Sequence, residues 1–321
     1  MTAAARLRRG RLLAPALLAL AVAGCSAGQV ASPSAPVPPS VPVPPPATVA
    51  TPVPEPSQVA GLRLPIAEYM LTPQQSAELK WLNTKKAALC MKEYGFDLPI
   101  APGPVVSASD SLLFRRYGLV DPVSVGTWGY HLPRRDTATP RATLSPAENA
   151  LLLGRDATGK PVTKSNGRAV PVGGCQGRAN TELRSLQPGG QGTGGGASQL
   201  AAQTKSESFS RSMADPRVKE VFGRWSECLR ADGFSAANPV EAGADLPSVK
   251  EPEPDAAEIR MAQTDVECKA RTDLIGIWFA VESEYQKAAI AQQPEAFAAL
   301  KAERDAQAAE LARQIAALPG G

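Results

Sequence analysis

The stretch "CMKEYGFDLP" (Cys90–Pro99) returns as "CLRADGFSAANP" (Cys228–Pro239), so the phrase Cys-x-x-x-x-Gly-Phe stands twice in the chain. Each copy closes a helical pattern. "TPQQSAELKWLNTKKAALCMKEYG" opens with Thr72 as N-cap, Pro73 at the first helical position and Gln75 where a capping box takes Glu or Gln, and it stops at Gly95. "DPRVKEVFGRWSECLRADG" repeats the device, with Asp215 as cap, Pro216 next and Gly233 at the end. The phrase therefore reads as the last turn of a helix, its Gly forming a left-handed C-cap and its Phe turning back onto the helix.

The remaining signals are mostly helical. "SPAE" at Ser145–Glu148 opens a shorter helix that ends near Gly154, and another is expected from Cys175 to about Leu186. Between them, Asn166-Gly167 flanked by short apolar segments predicts a small β-hairpin. A loop with Pro and acidic residues covers 236–254, and Asp255 opens one long helix to about Gln292. That helix carries two apolar stripes, Ile259, Val266, Ala270, Ile277, Val281 and Tyr285 on one side and Met261, Cys268, Ile275 and Phe279 on another, as a buried central helix does. Pro294 breaks it. An Ala-rich helix follows, whose seam of Phe297, Leu300, Leu311, Ile315 and Leu318 is interrupted by Arg304; it reads as a surface arm or as the partner of another helix. The expected fold class is mainly α: a disulfide-stapled helical domain of two similar halves with a small β-hairpin, preceded by a disordered Pro-rich stalk.

The N-terminus places this domain outside the cell. Arg6, Arg8, Arg9 and Arg11 precede the apolar run "LLAPALLALAVA", too short to span a bilayer and flanked as an export signal is. "VAGC" then fits the bacterial lipobox, in which Cys25 takes a diacylglyceryl group and becomes the first mature residue. Two acyl chains suffice for stable anchoring. The whole chain has 34 Lys and Arg against 31 Asp and Glu; the signal holds four of the Arg and no acid, which leaves 30 against 31. The apparent basicity belongs to the signal, and nucleic acid is not an expected partner. Residues 32–57 hold eleven prolines, so this stretch favours extended polyproline II and reads as a stalk of roughly 80 Å. The expected organisation is signal peptide 1–24, lipid-anchored Pro-rich linker 25–61, first helical half 62–187, Gly-rich linker 188–198 and second helical half 199–321.

With Cys25 set aside, Cys90, Cys175, Cys228 and Cys268 remain, an even number in an exported chain and hence two disulfides, with three connectivities open. Each half carries Cys-[Met/Leu]-x-x-x-Gly-Phe followed later by Cys-x-x-Arg, "CQGR" at Cys175 and "CKAR" at Cys268. The preferred pairing is Cys90 with Cys175 and Cys228 with Cys268. No metal site is expected, because CxxC is absent and His131 is the single histidine.

At these residues the sequence resembles actinobacterial lipoproteins to which no activity is assigned. The shared marks are the Cys-x-x-x-x-Gly-[Phe/Tyr] turns, "VPVGGC" at Val170–Cys175, Trp225-x-x-Cys228, and "TDVECK" with Thr264 where the family pattern has Ala. The resemblance covers most of residues 65–315 and implies no catalytic residue.

Candidates for chemistry are few. "GQGTGG" (Gly190–Gly195) matches GxGxxG but follows no strand, so it reads as a linker rather than a phosphate cradle. The loop "GTWGYHLPRR" gathers Trp128, Tyr130, His131, Arg134 and Arg135, residue types that stack on rings or bind anions; it is the candidate binding surface, against the plainer reading of a loop packed on the core. Glu251, Glu253 and Asp255 stand together in a Pro-containing segment and read as solvated charge. The expectation is a cell-surface lipoprotein at the outer face of the membrane, without a cofactor. Its role would be non-catalytic, binding an envelope protein, a transporter complex or a wall component; the alternative is a wall hydrolase using paired carboxylates.

Overall fold

Several helix starts in this chain are built by side chains that take up the first orphan amides, and Thr, Ser or Asp followed by Pro recurs at them. Thr72 and Gln75 close a capping box on α1 (Pro73–Glu93), as Ser145 and Glu148 do on α3 (Pro146–Leu153). Asp121 caps α2 (Pro122–Trp128), each of these three helices beginning with Pro. A computed structural model describes residues 48, 51–54, 61–133, 143–186 and 195–318. It is mainly helical. After α3 come a two-stranded antiparallel hairpin, β1 (Lys164–Ser165) and β2 (Arg168–Ala169), and α4 (Gly174–Glu182). The second half holds α5 (Gly195–Ala214), α6 (Pro216–Ala231), α7 (Ala256–Thr272), α8 (Leu274–Gln292) and α9 (Pro294–Ala316). Among the described residues no helix is long and apolar enough to cross a membrane.

The repeated phrase forms the same corner twice. In the first, Gly95 has φ +84°, Gly95 N–H donates to Lys92 O, and Phe96 N–H donates to Met91 O. In the second, Gly233 has φ +85°, Gly233 N–H donates to Arg230 O, and Phe234 N–H donates to Leu229 O. Both are Schellman caps. The hairpin sits on the first corner: Asn166 Nδ2 donates to Tyr94 O at 2.6 Å, the Tyr94 hydroxyl donates to Ala169 O, and Arg168 donates to Glu93 O. Carbonyls that the helix end leaves open are thereby used.

The disulfides are Cys90–Cys175 and Cys228–Cys268, with Cα separations of 5.5 and 5.7 Å. They close 85 and 40 residues of chain, contributing roughly 4 kcal/mol each on the loop-entropy account. The halves share the corner and the staple and differ in its partner. Cys175 lies in the first turn of α4, whereas Cys268 lies toward the C-terminal end of α7.

The main core surrounds Trp278, which is fully buried between Tyr117, Phe209 and Phe222 at ring-centroid distances of 4.9, 5.3 and 4.9 Å. Leu64, Ile66 and Tyr117 come to this core from the first half, so the halves interlock rather than stand apart. A smaller cluster of Leu119 and Val125 with Ala262 and Val266 joins α2 to α7, and Leu82, Leu183 and Leu186 with Leu311 join the first half to α9.

Three expectations change, and one left open is decided. The long helix from Asp255 is two, α7 and α8, because Asp273 takes a left-handed conformation (φ +52°) between them. Ala270, placed in an apolar stripe, faces solvent. Of the Gly-rich linker, residues 195–198 belong to the first turn of α5, while 188–194 lie outside the described residues. The C-terminal helix proves to be a packed partner of α1 and α5 rather than an arm. The signal, Cys25 and most of the stalk lie outside the described residues, but 51–54 rest on α8. Lys287 Nζ donates to Thr51 Oγ1 at 2.7 Å, and Gly276 makes room, since a Cβ there would lie 2.5 Å from Pro54 O.

Candidate functional site

The aromatic loop is positioned by α2. Asp121 accepts Val123 N–H at 3.0 Å to start the helix, and Gly129, with φ +51°, ends it. That turn aims the next two residues inward at α7. Tyr130 N–H donates to Glu258 Oε1 at 2.9 Å, and the Tyr130 hydroxyl lies 3.4 Å from Asp265 Oδ2. His131 Nδ1 lies 2.7 Å from the same Glu258 oxygen, and Nε2 lies 2.9 Å from Glu251 O. Both ring nitrogens face acceptors, so only the imidazolium can donate to both; the Glu251 carbonyl and then the Glu258 carboxylate raise its pKa above 6.5. Arg115 fastens the loop from behind, donating to Tyr130 O at 2.7 Å and His131 O at 2.5 Å. Trp128 is half-buried, and Arg134 and Arg135 lie outside the described residues. Tyr130 and His131 thus form an internal latch between α2 and α7.

Behind the latch is a buried ion pair. Lys269 Nζ lies 3.0 Å from Asp265 Oδ2, both side chains are sealed from solvent, and the amine also donates to Leu119 O at 3.1 Å. Trp225 Nε1 donates to Asp265 Oδ1 at 2.9 Å. Burial pushes the Asp265 carboxyl up and the Lys269 amine down, and each opposes the other's shift. Trp225, Cys228, Asp265, Cys268 and Lys269 therefore form one assembly, the indole and disulfide tying α6 to α7. These are the residues of "WSEC" and "TDVECK".

A second buried carboxylate, Glu282, is equally committed. Arg116 Nε reaches its two oxygens at 3.1 and 3.0 Å, the Tyr117 hydroxyl donates at 2.8 Å, Ser208 at 3.0 Å and Gln286 at 3.0 Å. Burial, followed by the Glu282 charge, raises the Tyr117 pKa well above 10. Glu251, Glu253 and Asp255 are exposed; Asp255 Oδ1 caps α7 by accepting Glu258 N–H at 2.8 Å. In a hollow beside Cys90, Glu93 and Glu182 are bonded to Arg178 at 2.9 and 3.0 Å. The Cys228, Asp232 and Cys268 group has both its sulfurs in the disulfide.

A groove of about 760 Å³ lies between α1 and α5, floored by α9. Leu79, Lys80, Asn83 and Thr84 enter from α1, Ala201, Ala202 and Lys205 from α5, and Leu300, Glu303, Arg304 and Gln307 from α9. Each set follows the i, i+3, i+4 spacing of one helix face. Met70 and Leu71 close one side and Leu186 another. Its size is that of a small-ligand site.

Sequence reasoning missed Glu258, Glu282 and the groove. Two signals stood in view: Asp265 and Lys269, four apart beside Cys268, and the break in the α9 seam at Arg304, where the groove crosses it. Comparison with protein-family models, curated proteins and solved structures finds no match.

Proposed function

We propose that this chain is an exported lipoprotein of the actinobacterial type, held at the outer face of the cell membrane by a diacylglyceryl group on Cys25. Its helical domain is a non-catalytic binding or accessory module of the envelope. One observation carries the second statement: the domain holds an open, largely apolar groove, while the buried carboxylates Asp265 and Glu282, and Glu258 through Oε1, are bonded inside the fold. A glycan hydrolase needs two carboxyl groups facing each other across a cleft, about 5 to 10 Å apart, free to reach substrate. Of the residues lining the groove, Glu303 is the single carboxylate.

Crosslinking in intact membranes, followed by capture of the anchored protein, tests this reading, with Cys25→Ala as the control that removes the anchor. A specific envelope partner recovered with the native chain and lost with the variant is the expected result. Recovery of nothing specific, together with cleavage of wall glycan by the purified protein, would overturn it.

A further inference from the structure

α1 and α5 both pack on α9 without packing extensively on each other, and the gap between them is the groove. Its lining is largely apolar, with Leu71, Leu79, Leu186, Ala202 and Leu300, and carries the cations Lys80, Lys205 and Arg304 beside the one carboxylate, Glu303. We propose that it binds a single acyl chain carrying a carboxylate head, as in a long-chain fatty acid. This rests on the binding reading above and names its ligand class.

Among the described residues nothing fills the groove, and an acyl chain would remove the apolar surface still exposed in it from water at roughly 25 cal/mol for each Å² covered. Lys205 decides against a neutral chain. Lys80 is paired with Asp110, but among the described residues no carboxylate lies within ion-pair distance of Lys205. Arg304 Nε is buried and makes no hydrogen bond, although Asp305 Oδ1 stands 3.0 Å away. A carboxylate head beside Lys205 would take a charge-assisted hydrogen bond from it. Arg304 interrupts an otherwise apolar seam, at a cost that core packing alone does not explain. Leu311 is buried against protein, whereas Arg304, like Leu300, lines the groove. A groove of about 760 Å³ is of the size that takes one long chain rather than two.

The test is photolabelling of the full anchored chain in phosphatidylcholine vesicles with a diazirine-bearing palmitic acid, followed by peptide mapping. Label is expected on 71–84, 199–211 and 299–307. Palmitate should compete about tenfold better than hexadecanol, the worth of one hydrogen bond to a charged group. Lys205→Glu should erase most of that preference without abolishing labelling. Ala202→Trp, and independently Thr84→Trp from the opposite wall, should each cut labelling about tenfold or more by filling the gap, with far-ultraviolet circular dichroism unchanged. Label spread over the surface, or insensitive to both Trp variants, would sink the site. Equal competition by hexadecanol would remove the carboxylate, and stronger competition by diacyl phosphatidylglycerol would remove the single chain. Loss of labelling with a membrane partner still captured leaves the accessory reading standing without this ligand; labelling with no partner captured does the reverse.

Discussion

At the scale of single residues, the buried charges decide most. Lys269→Met leaves Asp265 sealed in the core with neutral donors only, Trp225 Nε1 and the Tyr130 hydroxyl, and should cost about 3 to 5 kcal/mol in urea unfolding. Adding Asp265→Asn removes the stranded charge while keeping an acceptor for Trp225, so the double variant should recover part of the loss. A double variant as unstable as the single one would show that charge desolvation is not the cost. His131 offers a direct reading because it is the only histidine in the chain. Its carboxylate and carbonyl partners raise its pKa, so the ring's nuclear magnetic resonance titration should have a midpoint above 6.5. The sign follows: a raised folded pKa means the protonated ring's contribution is complete below the unfolded value and is lost as pH rises through the folded one. His131→Ala should therefore destabilise most on the acid side, the difference from the native chain narrowing at alkaline pH. A midpoint below 6.5 would break the latch assignment.

At the scale of elements, caps were legible and buried faces were not. Thr72, Ser145 and Asp215 each cap by a local hydrogen bond within three residues, which is why their spacing alone locates α1, α3 and α6. α5 escaped notice because its inner face is written in small and polar residues. Ala201, Thr204, Ser208 and Ser212 are buried at helical spacing, and two of the hydroxyls bond Glu282 and the Trp278 indole. Apolar periodicity cannot register such a face. The division at Asp273 was hidden for a different reason, since an Asp in left-handed conformation costs little and leaves no Pro or Gly behind. The corners give a clean test of the cap itself. Gly95 and Gly233 have positive φ, and a Cβ at either would meet nothing within 4 Å. Gly95→Ala and Gly233→Ala should thus each lose about 1 to 2 kcal/mol from backbone conformation alone, with Asn costing less than Ala. If one corner tolerates Ala freely, the two are not the same structure.

At the scale of the whole molecule, the repeated phrase showed two stapled halves but not how they meet. Contacts between distant segments leave no local pattern: the aromatic loop read as a candidate surface because Glu258, which takes its His131 and Tyr130, lies more than a hundred residues away. The pairings were legible because each half carries its own two cysteines, whereas the shared core around Trp278 draws Leu64, Ile66 and Tyr117 from the first half. Such sharing has a thermodynamic consequence. Cutting the chain in the Gly-rich segment would take from α8 the Tyr117 ring and the Arg116 guanidinium, which Glu282 needs, and from α7 the whole latch on Glu258. Residues 199–321 alone would expose apolar surface and strand two buried carboxylates, each worth several kcal/mol, more than a domain of marginal stability can lose. That fragment, with Cys228–Cys268 oxidised, should show poor amide dispersion and no cooperative thermal transition, whereas the full chain should unfold in a single one. Adding residues 62–187 in trans should restore dispersion. A fragment that folds cooperatively by itself would mean that the second half is an independent domain, with the first resting on a finished core.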